Sequence, residues 1–113
     1  MECIFCRIAA GDVATDIAYR GEEILAFWDM QPQAPKHIIV IPKVHVSSVA
    51  QLTAEQEGLI GHLILVAKEL AEKEGMSTGG YRLVINCGVD GGQVVPHLHL
   101  HLLGGRKLSD QLG

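Results

Sequence analysis

His97-Leu98-His99-Leu100-His101-Leu102-Leu103 is the stretch on which the reading of this chain turns. Successive side chains of a β-strand leave opposite faces. As a strand, this run sends three imidazoles to one side and the leucines to the other. Leucine buried on one face is ordinary. Three copies of the one side chain whose unperturbed pKa lies near neutrality, lined up on the opposite face, predict a reactive wall above a hydrophobic core. A three-histidine metal site is the rival reading. However, residues two apart on a strand have Cα atoms about 6.5–7 Å apart, so three in a row span about twice that and do not converge on one ion. A row suits an extended anion better.

Upstream of the run, Asp90-Gly91-Gly92 reads as a tight turn and Tyr81 to Cys87 as a strand. Before these comes the clearest helix. Thr53 and Gln56 form a capping box, and Leu59, Leu63, Val66, Ala67 and Leu70 trace one face. Gly75 is placed to end it, and Glu69 and Lys73 sit four apart on the outer face. His62 lies off the apolar stripe and reads as solvent-facing. His37 to Ile41 is apolar on both faces, as a buried central strand should be, and Pro42 ends it. Ile17 to Tyr19 and Ile24 to Trp28 flank the turn Gly21-Glu22, and residues 3–10 carry Ile4, Phe5 and Ile8 at helical spacing. Five strands, one long helix and one or more short ones predict an α+β fold with a mainly antiparallel sheet, with residues 1–113 as a single domain.

At 113 residues the chain can bury roughly two-thirds of its unfolded surface and fold unaided. No apolar run approaches the roughly 20 residues of a membrane helix. Met1-Glu2-Cys3 does not open a signal peptide, so the expected location is the cytoplasm, with no membrane partner. A net charge of −4 argues against binding along a nucleic-acid backbone, which needs clustered Lys and Arg. A single nucleotide stays open. Three cysteines, Cys3, Cys6 and Cys87, make a disulfide framework unexpected in such a compartment. Cys87, at a strand end, reads as a small buried hydrophobe.

The histidine run resembles the signature of the histidine triad family, in which His alternates with apolar residues. Asp90-Gly91-Gly92-Gln93 and Leu103-Gly104-Gly105-Arg106 resemble its branch of histidine triad nucleotide-binding proteins. The likeness extends over Ala26-Phe27-Trp28-Asp29, Pro32-Gln33-Ala34-Pro35-Lys36-His37 and Ile41-Pro42-Lys43-Val44-His45. It implies the histidine-triad fold, a homodimer paired through the long helix and the strand like 81–87, and purine nucleotides such as AMP and GMP as ligands. The implied reaction is hydrolysis of nucleoside 5'-phosphoramidates at the α-phosphorus. By motif position His99 is the nucleophile, the main-chain carbonyl of His97 fixes its tautomer, and His101 and His37 attend the phosphate. A neutral imidazole suits that role, because it splits one hard displacement into two easier ones.

The resemblance further implies Asn86, Gln93 and the amides of the Gly92 turn near the phosphate, and Asp29 on the ribose hydroxyls. Ile4, Phe5, Ile8, Phe27 and Met30 would form the slot for the base. Phe5 and Ile8 read equally well as core, and Asp29 and Asn86 as turn and strand-end caps. Two features depart from the branch. Val94 stands where relatives commonly carry serine, and the end Lys107-Leu108-Ser109-Asp110-Gln111-Leu112-Gly113 replaces a Trp-Pro-Pro-Gly tail.

Cys3-x-x-Cys6 has metal-ligand spacing but is equally compatible with a redox pair or two buried thiols. A thioredoxin-like motif wants a preceding strand, for which there is no room. Zinc-binding members of the superfamily join such cysteines to the positions filled here by His45 and His97, which implies a structural Zn²⁺ site of Cys3, Cys6, His45 and His97. Two other functions remain in play: a dinucleoside polyphosphate hydrolase of the same superfamily, and a non-catalytic nucleotide sensor or zinc-stabilised interaction module. The Gly104-Gly105-Arg106 ending favours the phosphoramidate branch.

Overall fold

The computed structural model describes residues 3–112. In chain order the elements are α1 (Ile4–Ala9), β1 (Ile17–Arg20), β2 (Ile24–Trp28), β3 (Lys36–Pro42), α2 (Glu57–Lys73), β4 (Arg82–Val84) and β5 (Leu100–Gly104). The five strands form one sheet in the order β1-β2-β3-β5-β4, antiparallel at every pairing. This is the α+β architecture expected. No helix is long and apolar enough to cross a membrane among the described residues.

β3 is apolar on both faces because both faces are covered. Ile38 and Val40 join Ile24, Ala26, Leu100 and Leu102 on the side packed by Leu63, Val66, Ala67 and Leu70 of α2. Ile39 and Ile41 join Leu25 and Phe27 on the other side, under Phe5 and Ile8 of α1. Period-two alternation therefore sorts β3 and β5 into a structural face and a face carrying His37 and His101. The register completes the placement, since Ile39 stands opposite His101 and His37 opposite Leu103. His37 and His101 are diagonal neighbours on one surface, within reach of each other's rings.

α2 is bounded by local chemistry. The Thr53 N–H donates to Gln56 Oε1 at 2.8 Å, so the capping box forms, across a 3₁₀ turn that precedes the helix proper. At the other end Gly75 adopts φ +76°, the Met76 N–H reaches the Ala71 carbonyl at 2.8 Å, and Gly75 N–H reaches Glu72 at 3.2 Å. These bonds make a Schellman stop, with Met76 buried beneath it. The ion pair on the outer face is Lys68–Glu72 at 2.9 Å rather than Glu69 with Lys73. His62 faces solvent as expected.

Three expectations need correction. The histidine strand begins at Leu100, not at residue 97, because the chain bends at Val95–His97: the His97 N–H folds back to the Val95 carbonyl at 2.8 Å, and Leu98 donates to Val46 at 2.6 Å. Alternation holds only inside a regular strand, so the His97 imidazole leaves the row of His99 and His101. β4 is only three residues long, Arg82–Val84, and its pairing with β5 stops at Val84 opposite His101. Cys87 is exposed rather than buried, because the chain has left the sheet where it stands.

Candidate active site

Two clusters form on the α1 side of the sheet, and three of their histidines have a tautomer imposed by the main chain. His97 Nε2 lies 2.8 Å from the carbonyl of Pro42, which can only accept, so Nε2 carries the proton and Nδ1 keeps its lone pair. That lone pair faces Cys3 Sγ at 3.4 Å and Cys6 Sγ at 3.5 Å, and Cys6 Sγ lies 3.3 Å from His45 Nδ1. A tetrahedral ion with zinc-like bond lengths requires S···N edges of about 3.5 Å. The four residues meet that requirement, and one ligand atom from each lies within 4.8 Å of the others. The group could hold a metal ion. In the protein alone, burial raises the Cys6 thiol pKa and the neighbouring Cys3 raises it further, so a cation would favour the Cys6 thiolate. The Pro42 carbonyl is the supporting hydrogen bond that a ligating histidine ordinarily has, whereas His45 Nε2 is buried without a partner among the described residues.

α1 builds its share of this cluster locally. Cys3 is the helix N-cap, and its sulfur accepts from the Cys6 N–H at 3.4 Å, which turns both thiols toward His97. Phe5 points the other way. Its ring meets His97 edge-on at 5.9 Å and His99 at 5.1 Å, so one aromatic side chain separates the two clusters.

The second cluster is His37, His99 and His101. His99 Nδ1 lies 2.7 Å from the carbonyl of His97, which places its proton on Nδ1 and leaves Nε2 as a free lone pair. Burial lowers the pKa of His99, opposed by that carbonyl, and burial likewise lowers His37 and His97. His101 is pushed down to about 4 by burial and then by the neighbouring His99 and His37. The cluster is therefore uncharged at neutral pH. An uncharged imidazole with a free lone pair is a nucleophile, and an imidazolium is not.

Beside it opens a cavity of ≈ 410 Å³, bordered by Phe5, Ile8, Phe27, Asp29, Met30, His37 and His101. Phe5 and Ile8 satisfy both earlier readings at once, being buried in the core and lining the cavity. Met30 stands at the rim, 87% exposed. Ile4 is exposed and does not line the cavity. Asp29 Oδ1 caps its own turn by accepting from Gln31 N–H at 2.8 Å, while Oδ2 lies 3.5 Å from His37 Nε2.

Asn86 and Gln93 serve the glycine loop. Asn86 Nδ2 donates to the Gly91 carbonyl at 2.7 Å. Gln93 Oε1 accepts from Gly88 at 2.9 Å, and its Nε2 donates to Ser47 and Val95. Gly91 is obligatory there, because a Cβ would collide with the Cys87 carbonyl, and Gly92 turns with φ +81°. Neither amide side chain lines the cavity. Residues missed by the sequence reading do line it: Ile39, Gln33, Trp28, Thr15 and Val95. Ile39 was accessible from alternation alone, two positions beyond His37 on β3; Trp28 ends β2, and Gln33, Thr15 and Val95 sit in loops without a period.

Comparison with known proteins finds likeness along the whole chain. The family model described as scavenger mRNA decapping enzyme C-term binding matches residues 2–112. An uncharacterized HIT-like protein of Synechococcus elongatus is 50% identical over 108 residues, covering 96% of this chain and 94% of its own. Purine nucleoside phosphoramidase of Escherichia coli is 44% identical over 111 residues, covering 98% and 93%. A HIT family hydrolase from Legionella pneumophila superposes with TM-score 0.97 at 43% identity, over 99% of this chain and 100% of that one. A histidine triad protein from Clostridium difficile superposes at 0.96 with 40% identity, over 99% and 97%. With the His99 lone pair held open by its own main chain and the likeness running end to end, the chain belongs to the histidine triad family, in its nucleotide-binding-protein branch.

Proposed function

We propose that this protein hydrolyses purine nucleoside 5'-phosphoramidates by nucleotidyl transfer through His99. The observation that carries the reading is the 2.7 Å bond from His99 Nδ1 to the His97 carbonyl, which leaves the Nε2 lone pair for nucleophilic attack. In the first step Nε2 forms a bond to the α-phosphorus as the P–N bond to the amine breaks, and the amine departs with a proton. In the second step water displaces the imidazole, releasing the nucleoside monophosphate. His101 hydrogen-bonds phosphate oxygens. Phe27, Phe5 and Ile8 take the base in a cavity large enough for a purine, and Asp29 accepts from the ribose. The naming of the Escherichia coli relative as a purine nucleoside phosphoramidase supports this substrate class.

The Cys3, Cys6, His45 and His97 group would hold zinc, whose tetrahedral S₂N₂ preference fits the donor set. Bound there, with all four positions taken by protein, the ion supplies rigidity rather than chemistry. His97 then contributes to catalysis through its carbonyl and not its ring. A cytoplasmic homodimer completes the reading. Leu83 on edge strand β4 and Ile64 and Leu65 on α2 are exposed, and a Cβ at Gly58 or Gly61 would meet nothing within 4 Å in the same chain.

Mass spectrometry of protein quenched during turnover of adenosine 5'-phosphoramidate should find AMP attached at His99. A diadenosine polyphosphate turned over much faster than the phosphoramidate would overturn the substrate class. Sedimentation as a monomer at micromolar concentration would remove the dimer.

A further inference from the structure

His37 is buried, and its two ring nitrogens face two different partners. Nδ1 lies 3.1 Å from the main-chain nitrogen of Gln33, which can only donate. Nδ1 is therefore the acceptor, and the neutral ring carries its proton on Nε2. That Nε2 lies 2.8 Å from His101 Nδ1 and 3.5 Å from Asp29 Oδ2, so the shorter and stronger bond runs to His101. His101 Nδ1 must then accept. The proton of neutral His101 is left on Nε2, its only ring nitrogen available to a ligand in the cavity it borders.

We propose that His37 is a positioning residue: the chain Gln33 N–H to His37 to His101 locks His101 in its Nε2–H tautomer, giving the phosphate a neutral donor. The direction of the chain has one origin, the Gln33 amide in the loop before β3. Reversed, with His101 Nδ1 donating, the His37 proton would sit on Nδ1 against the Gln33 N–H, two donors 3.1 Å apart. The same argument disposes of a cation here. Asp29, His37 and His101 offer ligand atoms within 4.8 Å of one another. However, metal on His37 Nε2 would force the same clash at Nδ1. The arrangement mirrors that of His99, where the His97 carbonyl selects the opposite tautomer and leaves Nε2 bare. One main-chain acceptor thus makes a nucleophile, and one main-chain donor, relayed through His37, makes a hydrogen-bond donor beside it.

The proposal takes from the functional reading only that the phosphate lies against these two rings. Long-range ¹H–¹⁵N correlation on ¹⁵N-labelled protein reads the His101 tautomer directly, with turnover of adenosine 5'-phosphoramidate measured alongside. In the wild type the His101 proton is expected on Nε2. H37Q retains a side-chain N–H that can reach His101 Nδ1, so it should keep the tautomer and stay within about fivefold of wild-type kcat. H37L is apolar and of similar size at a buried position, and it removes the donor. It should release His101 into a tautomer mixture and lower kcat about tenfold or more, with KM changed less than threefold. A wild-type proton on Nδ1, an unchanged tautomer in H37L, or loss of the Nε2–H tautomer in folded H37Q would overturn the proposal. A wild type with the predicted tautomer but no turnover would instead sink the hydrolase reading and leave the positioning role intact.

Discussion

His97 and His99 are separated by a single leucine, yet they belong to different chemical environments. His97 has its proton on Nε2, held by the Pro42 carbonyl, and turns a lone pair on Nδ1 toward two sulfurs. His99 has its proton on Nδ1, held by the His97 carbonyl, and turns a lone pair on Nε2 away from its own strand. The same side chain is placed where it could hold a metal ion in one position and, in the function proposed above, attacks phosphorus in the other. The difference is which nitrogen a main-chain carbonyl occupies. The tautomer of each ring is set by a hydrogen bond to the backbone.

The strongest way to break the comparison is to remove His99. H99A should cut release of AMP from adenosine 5'-phosphoramidate on the order of 10³-fold, since the neighbouring rings of His37 and His101 are hydrogen-bonded to each other. Steady-state assay measures this, and residual activity within tenfold of wild type would end the assignment. Phe5, which touches both rings, should couple the clusters. F5A is expected to destabilise by about 3 kcal/mol, the low end for a buried phenylalanine, and to raise KM for purine substrates, measured by denaturant unfolding and kinetics on the same samples. The metal cluster can be addressed separately. Chelator should lower the melting temperature of the wild type by about 10 °C, because closing a protein-ligand shell adds to folding stability. C6S should melt low from the outset and show no further response to chelator. A chelator effect equal in both would place the ion elsewhere. The smallest effect belongs to Val94, which borders the cavity and is 88% exposed. V94S should change stability by less than about 0.5 kcal/mol. It should alter relative rates among amine leaving groups by a few fold, read by competition between two phosphoramidates.

The two clusters also differ in how far they could be read from residue order. Alternation placed His99 and His101 on one face because a regular strand has a period of two, and that period is local. It misassigned His97, because the bend at Val95–His97 interrupts the period and no pattern marks where a strand begins. The four-residue Cys/His group was available only through resemblance, since its members lie up to 94 positions apart. Loop residues such as Gln33 were invisible: what Gln33 contributes to His37 is a main-chain N–H, a group that nearly every residue possesses. Asn86 and Gln93 were read as ligand contacts, whereas their side chains bond main-chain groups of the glycine loop and of Ser47.

By itself the residue order determined the sheet, the amphipathic helix with its cap and its glycine stop, and the identity of the reactive side chains. These follow from short-range periodicity and from side-chain chemistry, both written along the chain. Which nitrogen of each imidazole holds the proton, which histidine leaves the row for the cysteines, and which faces the cavity were decided only by the tertiary structure. Those choices depend on carbonyls and amides of Pro42, His97 and Gln33 brought into contact by folding, and a main-chain group has no signature in the sequence that positions it.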